Sequence, residues 1–208
     1  MSVKLVSIPD VLNLASIDIP SLNEGSNAEI TQATSRVNDL ILSASDEVTA
    51  AIGYCPIQDT DETRHWRKLG TSYNIISCEA FRTITSMQRL TDDDTYVDIP
   101  YLPIGSPVSV STYNRHIESK QLIGDSTRIK TVGRFGLVDS LSEFDGHPLQ
   151  RVTAAKVYAL LFKEGLIVNT TQGSNTSRFN AETSWMSDEH LEEIMSRYRI
   201  SANNVINV

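Results

Sequence analysis

Cysteine is nearly missing from this chain: Cys55 and Cys78 are the only two in 208 residues, and they make no C-x-x-C pair. That leaves no disulfide framework and no thiolate metal site, so both are expected to be reduced packing residues. Long apolar runs are missing too. Nowhere do about eighteen apolar residues follow one another, so no membrane span and no membrane partner are expected. The opening MSVKLVSIPD lacks the basic start and apolar core of a secretion signal, and the expectation is a protein that stays in the cytoplasm during its assembly. Positive charge is in deficit, with 18 Lys and Arg against 26 Asp and Glu for a net charge of −8. A protein that grips nucleic acid needs cations to displace counterions from phosphates, so tight binding is disfavoured while passing contact with a duplex is not.

Chemical motifs are equally scarce. The four histidines, His65, His116, His147 and His190, are scattered without H-x-x-x-H or H-E-x-x-H spacing, and no metal is assigned. Asp92, Asp93 and Asp94 lack the spaced oxygens and bend glycine of a calcium loop and read as a solvated turn. No G-x-S-x-G elbow or phosphate-binding loop is present. Glu143, Asp145 and His147 gather in a polar link with no nucleophile beside them. No catalytic residue and no cofactor is assigned, and the chain is not expected to be an enzyme.

What is present is ordinary for a soluble protein, 40% hydrophobic and 21% charged, which excludes disorder throughout. A short helix is expected near 10–15. From Ala28 a 3.6-residue stripe of Ile30, Ala33, Val37, Leu40, Ile41, Ala44, Val48, Ala51 and Ile52 predicts a helix over 28–52, capped by Ser26 or Asn27 and ended by Gly53. Pro148 opens and Gly165 closes a second helix over 149–164, with Leu149, Val152, Ala155, Tyr158, Leu161 and Phe162 on its buried face. A third helix over 188–199 opens at Ser187 and buries Leu191, Ile194, Met195 and Tyr198. Between the first two lie segments rich in β-branched and aromatic residues, predicting strands over 64–69, 73–78, 81–89, 95–101, 108–113 and 128–132 with hairpin breaks at 69–71 and 91–94. Gly133 and Gly136 bracket Arg134 and Phe135 as a chain reversal. Residues 169–180 are too polar for a core and read as an exposed loop.

Three stretches occur in an order that resembles the head-to-tail connector proteins of tailed bacteriophages, the adaptor or head-completion subunits that form rings beneath the portal. They are Leu40-Ile41-Leu42-Ser43-Ala44-Ser45 followed by Gly53-Tyr54, then Val132-Gly133-Arg134-Phe135-Gly136 leading into a helix, then Met195-Ser196-Arg197-Tyr198-Arg199 near the end. The resemblance implies an α+β subunit of a ring. Its core would be a bundle of about three to four helices from 1–56 and 146–200, with 57–145 as a β-rich insertion and 201–208 as a tail. It further implies a virion protein of the neck, a homo-oligomer of about twelve copies. Its partners would be the portal and a stopper, tail-terminator or other tail protein, with double-stranded DNA passing through the lumen without specific binding.

Two sets of site residues follow as expectations. Val205, Ile206 and Val208 are apolar where a frayed end is usually polar, and with Tyr198 and Arg199 they are assigned to portal binding by strand addition, as the resemblance implies. Arg64, Trp66, Arg134 and Phe135 are assigned to a subunit interface. On an alternating strand Arg64, Trp66 and Lys68 share one face while His65 and Arg67 share the other, which divides the charges and favours a protein contact over DNA. The rival readings are a stopper or tail-completion subunit, a small hydrolase in the β region, and a monomeric interaction module.

Overall fold

A computed structural model describes residues 3–15, 17–67, 75–104, 114–119, 127–167 and 187–200. The class is α+β, in two units: one formed by Met1–Ile52 with Phe144–Arg199, the other by Gly53–Glu143 with Ile200. No described helix is long and apolar enough to cross a membrane.

The first unit is helical: α1 (Ile8–Ala15), α2 (Asn27–Ile52), α3 (Pro148–Lys163) and α4 (Asp188–Tyr198). Ser26, not Asn27, begins α2, through a reciprocal cap. Its backbone N–H donates to the Glu29 carboxylate at 2.7 Å while its hydroxyl accepts from the Glu29 N–H at 3.4 Å, which satisfies two donors that a helix start leaves open. Val37, Leu40, Ile41, Ala44, Val48 and Ile52 are buried along one face of α2, as their spacing requires. α3 runs antiparallel beside it, with Arg36 paired to Glu164 at 2.5 Å and Glu47 to Lys156 at 3.0 Å; both pairs are exposed enough to contribute under about 1 kcal/mol. The shared core of Val11, Ile41, Ala44, Ala154, Val157 and Leu161 therefore carries the stability.

α3 departs from its expected stripe. Gln150, Thr153, Ala154 and Val157 are buried as well, because α1, α2 and α4 all pack on this helix, whereas Phe162 is 51% exposed near its end. The expectation that Phe162 is buried is thus corrected: burial winds around α3 instead of following one stripe. The helix stops as its glycine predicts. Gly165 takes φ +70°, its N–H donates to the Phe162 carbonyl, and the Leu166 N–H donates to that of Leu161, both at 3.0 Å.

The second unit is a six-stranded antiparallel sheet of β1 (Glu62–Arg67), β2 (Ile75–Leu90), β3 (Tyr96–Asp98), β4 (Tyr101–Ile104), β5 (Asn114–Ser119) and β6 (Arg128–Phe135). The order is β1-β6-β2-β5-β4, with β3 on β2 as well. β2 serves as the spine, pairing β5 along its first part and β3 along its last. Trp66, Phe81, Met87, Ile117, Ile129 and Phe135 form the core on the inner face.

Four strand expectations change. The described part of 73–78, from Ile75, and 81–89 belong to one strand, and 95–101 divides into β3 and the start of β4. β5 lies on 114–119, where no strand was expected, while the expected strand at 108–113 falls outside the described residues. The reversal at Gly133 does not occur. β6 runs through Gly133 to Phe135, opposite Ile84, and only Gly136 has a positive φ, +88°. Gly133 is needed for closeness instead, since a Cβ there would sit 2.2 Å from the Thr83 carbonyl oxygen, beside a bulge in β2. The loop at 169–180, the break at 69–71 and the last residues of the 64–69 strand also lie outside the described residues.

Candidate assembly surface

The alternation of β1 places Arg64 and Trp66 inward, and the structure uses both inside the subunit. Trp66 is buried, its indole N–H donating to the Thr131 hydroxyl at 2.7 Å and its ring meeting that of Phe135 edge to face at 6.0 Å. Phe135 is fully buried. These two side chains therefore reach no surface of this unit. Arg64 lies over the Phe135 ring at 5.0 Å and donates to the Glu79 carboxylate at 2.7 Å and to Glu62. Burial pushes the Glu79 carboxyl up despite that cation, and burial opposes the Arg64 charge, yet Glu79 and Glu62 raise it further. The pair completes the interior polar layer of the sheet.

Arg134 lies on the outer face of β6, where it meets Asp139 at 3.2 Å and Asp61 at 3.5 Å. Arg82 contacts Asp139 from the other side and donates to the Gln58 carbonyl. Burial opposes the Asp139 charge, but the Arg82 and Arg134 guanidinium groups hold its carboxyl below the usual range. This network ties the segment after Gly136 to the loop before β1, where Ile57 and Val138 form a parallel bridge. Cys55 is a free thiol that donates to the Ile57 carbonyl, and burial raises it. Nothing is described for the Cys78 side chain.

Of the second set, Tyr198 is buried in the helical unit with its ring 4.9 Å from that of His147, which stacks on Phe144 at 4.5 Å. His147 caps α3, its Nδ1 accepting from the Leu149 N–H at 3.2 Å, and burial lowers its pKa to about 4. Arg199 donates to the Ala51 carbonyl at 2.8 Å and to Glu192 at 2.6 Å, which fixes the end of α4 against α2. Val205, Ile206 and Val208 lie outside the described residues.

A surface that the sequence reading passed over is the outer face at the β2–β3 hairpin end. Asp98, Gln88, Lys130 and His65 stand directly opposite one another across β3, β2, β6 and β1, and Arg67 stands opposite Arg128 in the outer row beyond. Tyr96 crosses this face from β3: Lys130 Nζ is 5.5 Å from its ring centre, and its hydroxyl is 3.3 Å from His65 Nδ1. Tyr96 and Val97 are 37% and 38% exposed. The alternation of 128–132 contained the signal, because Arg128 and Lys130 fall on the face opposite Ile129. Among the described residues no group of three or more His, Cys, Asp or Glu side chains is placed to hold a metal ion.

No protein-family model matches this chain, and no curated protein matches it. Its fold is similar to that of a chain in the neck of an empty gene transfer agent (GTA) particle computed with C6 symmetry. That similarity has a TM-score of 0.51 and 10% identity, and covers 97% of this chain and 96% of that one. It is similar also to a chain in the virion of a native GTA particle, with a TM-score of 0.50 and 10% identity over 96% and 95% of the two chains. At this identity the likeness establishes a shared fold over nearly the whole of both chains.

Proposed function

We propose that this chain is a structural virion protein: an adaptor that forms a ring of about twelve copies beneath the portal, extends the DNA channel and joins head to tail. The observation that carries this reading is the agreement of fold over 97% of the chain with a neck chain of a GTA particle. The order of the three stretches that resemble phage connectors supports it independently. A helix of 26 residues, α2, packed on α3, favours an adaptor over a stopper or tail-completion subunit built mainly on a barrel. A small hydrolase finds no support in the fold likeness.

The role is mechanical, with no catalysis and no cofactor. Duplex DNA passes through the lumen during packaging and ejection without specific binding, in keeping with a net charge of −8. A portal on one side and a stopper, tail-terminator or other tail protein on the other are the partners, and the neck of the virion is the final location. Portal contact is assigned to Val205, Ile206 and Val208, added as a strand, while Tyr198 and Arg199 set where that segment leaves α4. Arg134, on the outer face of β6, stays as a contributor to the subunit interface, whereas Arg64 is used within the sheet. The test is to delete residues 203–208 and measure attachment to isolated portal rings. Loss of attachment with an unchanged melting temperature is expected, and full attachment would overturn the portal assignment. Particles that lack this protein yet still join filled heads to tails would overturn the adaptor role.

A further inference from the structure

The hairpin end of the sheet carries opposite charge at its two sides. On the β3 side stand Asp98 and the exposed turn Asp92, Asp93 and Asp94, held in one shape by a hydrogen bond from the Thr91 N–H to the Thr95 carbonyl at 2.8 Å and by the Thr91 and Thr95 hydroxyls at 2.8 Å. Towards the β1 side stand Lys130 and Arg128 on β6 and His65 and Arg67 on β1, four basic side chains in a protein where acids are in excess. From β3, β6 is two strand spacings away and β1 three, about 10 and 14 Å. Within the subunit, His65 faces Lys130 and Arg67 faces Arg128 directly across the ladder, which gathers these side chains at one end of the two strands. Exposed Tyr96 and Val97 lie at this end too, and tyrosine beside arginine is the composition of interface centres.

We propose that the acidic β3 side of one copy packs against the basic β1 side of a second copy, and that this head-to-tail contact, repeated, closes the ring. The inference rests on the ring reading above and names the surface that makes the ring. A twofold pair would also bring acid to base but would stop at two copies, so it is the ring reading that selects the heterologous contact, which repeats until it closes. In the assembly the turn carboxylates meet the basic side chains of β1 and β6, and Tyr96 and Val97 lose their exposure. Exposed charges are screened beyond about 8 Å at physiological salt, so the contact weakens as salt rises.

The test uses two charge-reversed full-length chains, D92K/D93K/D98K and R128E/K130E, with mass photometry at low salt and thermal melting to verify folding. The wild-type chain is expected to form rings that disperse as salt is added. Each variant alone should remain a single subunit, because both of its sides then carry one sign. Mixed in equal amounts, the two should form rings again by alternating around the circle. Rings from either variant alone, or no ring from the mixture, would overturn the proposed contact while leaving the ring intact. A wild-type chain that stays single at low salt would overturn the contact, whereas the ring reading falls only if the chain also fails to assemble on the portal.

Discussion

Gly133 has no room for a side chain, since the carbonyl oxygen of Thr83 occupies the place where a Cβ would go. Gly133→Ala is expected to lower the unfolding free energy by about 3 kcal/mol or more, because backbone and not a mobile side chain must move. Gly146→Ala is the control: its φ of +74° is strained for alanine but its Cβ would meet nothing within 4 Å, so about 1 kcal/mol is expected. Urea midpoints of the two variants decide this. Equal losses would contradict the close approach. His147 makes a second prediction. Its folded pKa of about 4 lies below its ordinary 6.5, so its contribution is complete above pH 6.5 and is lost as pH falls towards 4, by up to about 3 kcal/mol. His147→Asn keeps an acceptor for the Leu149 N–H and should flatten that decline between pH 7 and 5. A residue can be legible in kind and still be misread in role. Gly-Arg-Phe-Gly was recognisable as a place intolerant of side chains, but a close crossing of two strands and a turn ask for glycine equally, and only Gly136 serves the turn.

The helices were readable because capping and periodicity agree. Ser26 or Asn27 before α2, Pro148 with Gly165, and Ser187 with Leu191, Met195 and Tyr198 each mark a start, a stop or a face, and in the structure it is Ser26 that caps α2. Ser26→Ala is expected to cost about 1 kcal/mol, and Ser26→Asp much less, measured by thermal melting. The sheet was harder to read. β2 changes register between Phe81 and Thr83 and again between Ile84 and Ser86, so its inward and outward positions swap within one strand and the two-residue alternation fails. Glu79 falls in the gap between the expected strands 73–78 and 81–89, yet it is buried and held by Arg64 from β1, a partner 15 residues away that no local pattern reveals. The same blindness hid the basic row at the hairpin end, because Arg67, Arg128 and Lys130 come together only when the register of β1 on β6 is known.

At the scale of the whole molecule, a net charge of −8 makes copies of this chain repel at long range, and any assembly must overcome that with local complementarity. In the proposed ring the two-sided charge of the sheet end would supply it. Sequence order alone led to a connector, while the surfaces that would make it a ring came from cross-strand pairing. The most direct test of the adaptor role is mass photometry of the full chain mixed with the portal ring of the same particle. The account predicts one discrete heavier species, equal to the portal plus about twelve copies of the 23.1 kDa chain, at saturating chain. A portal peak that does not move, with this chain remaining apart from it as single subunits, would contradict the account.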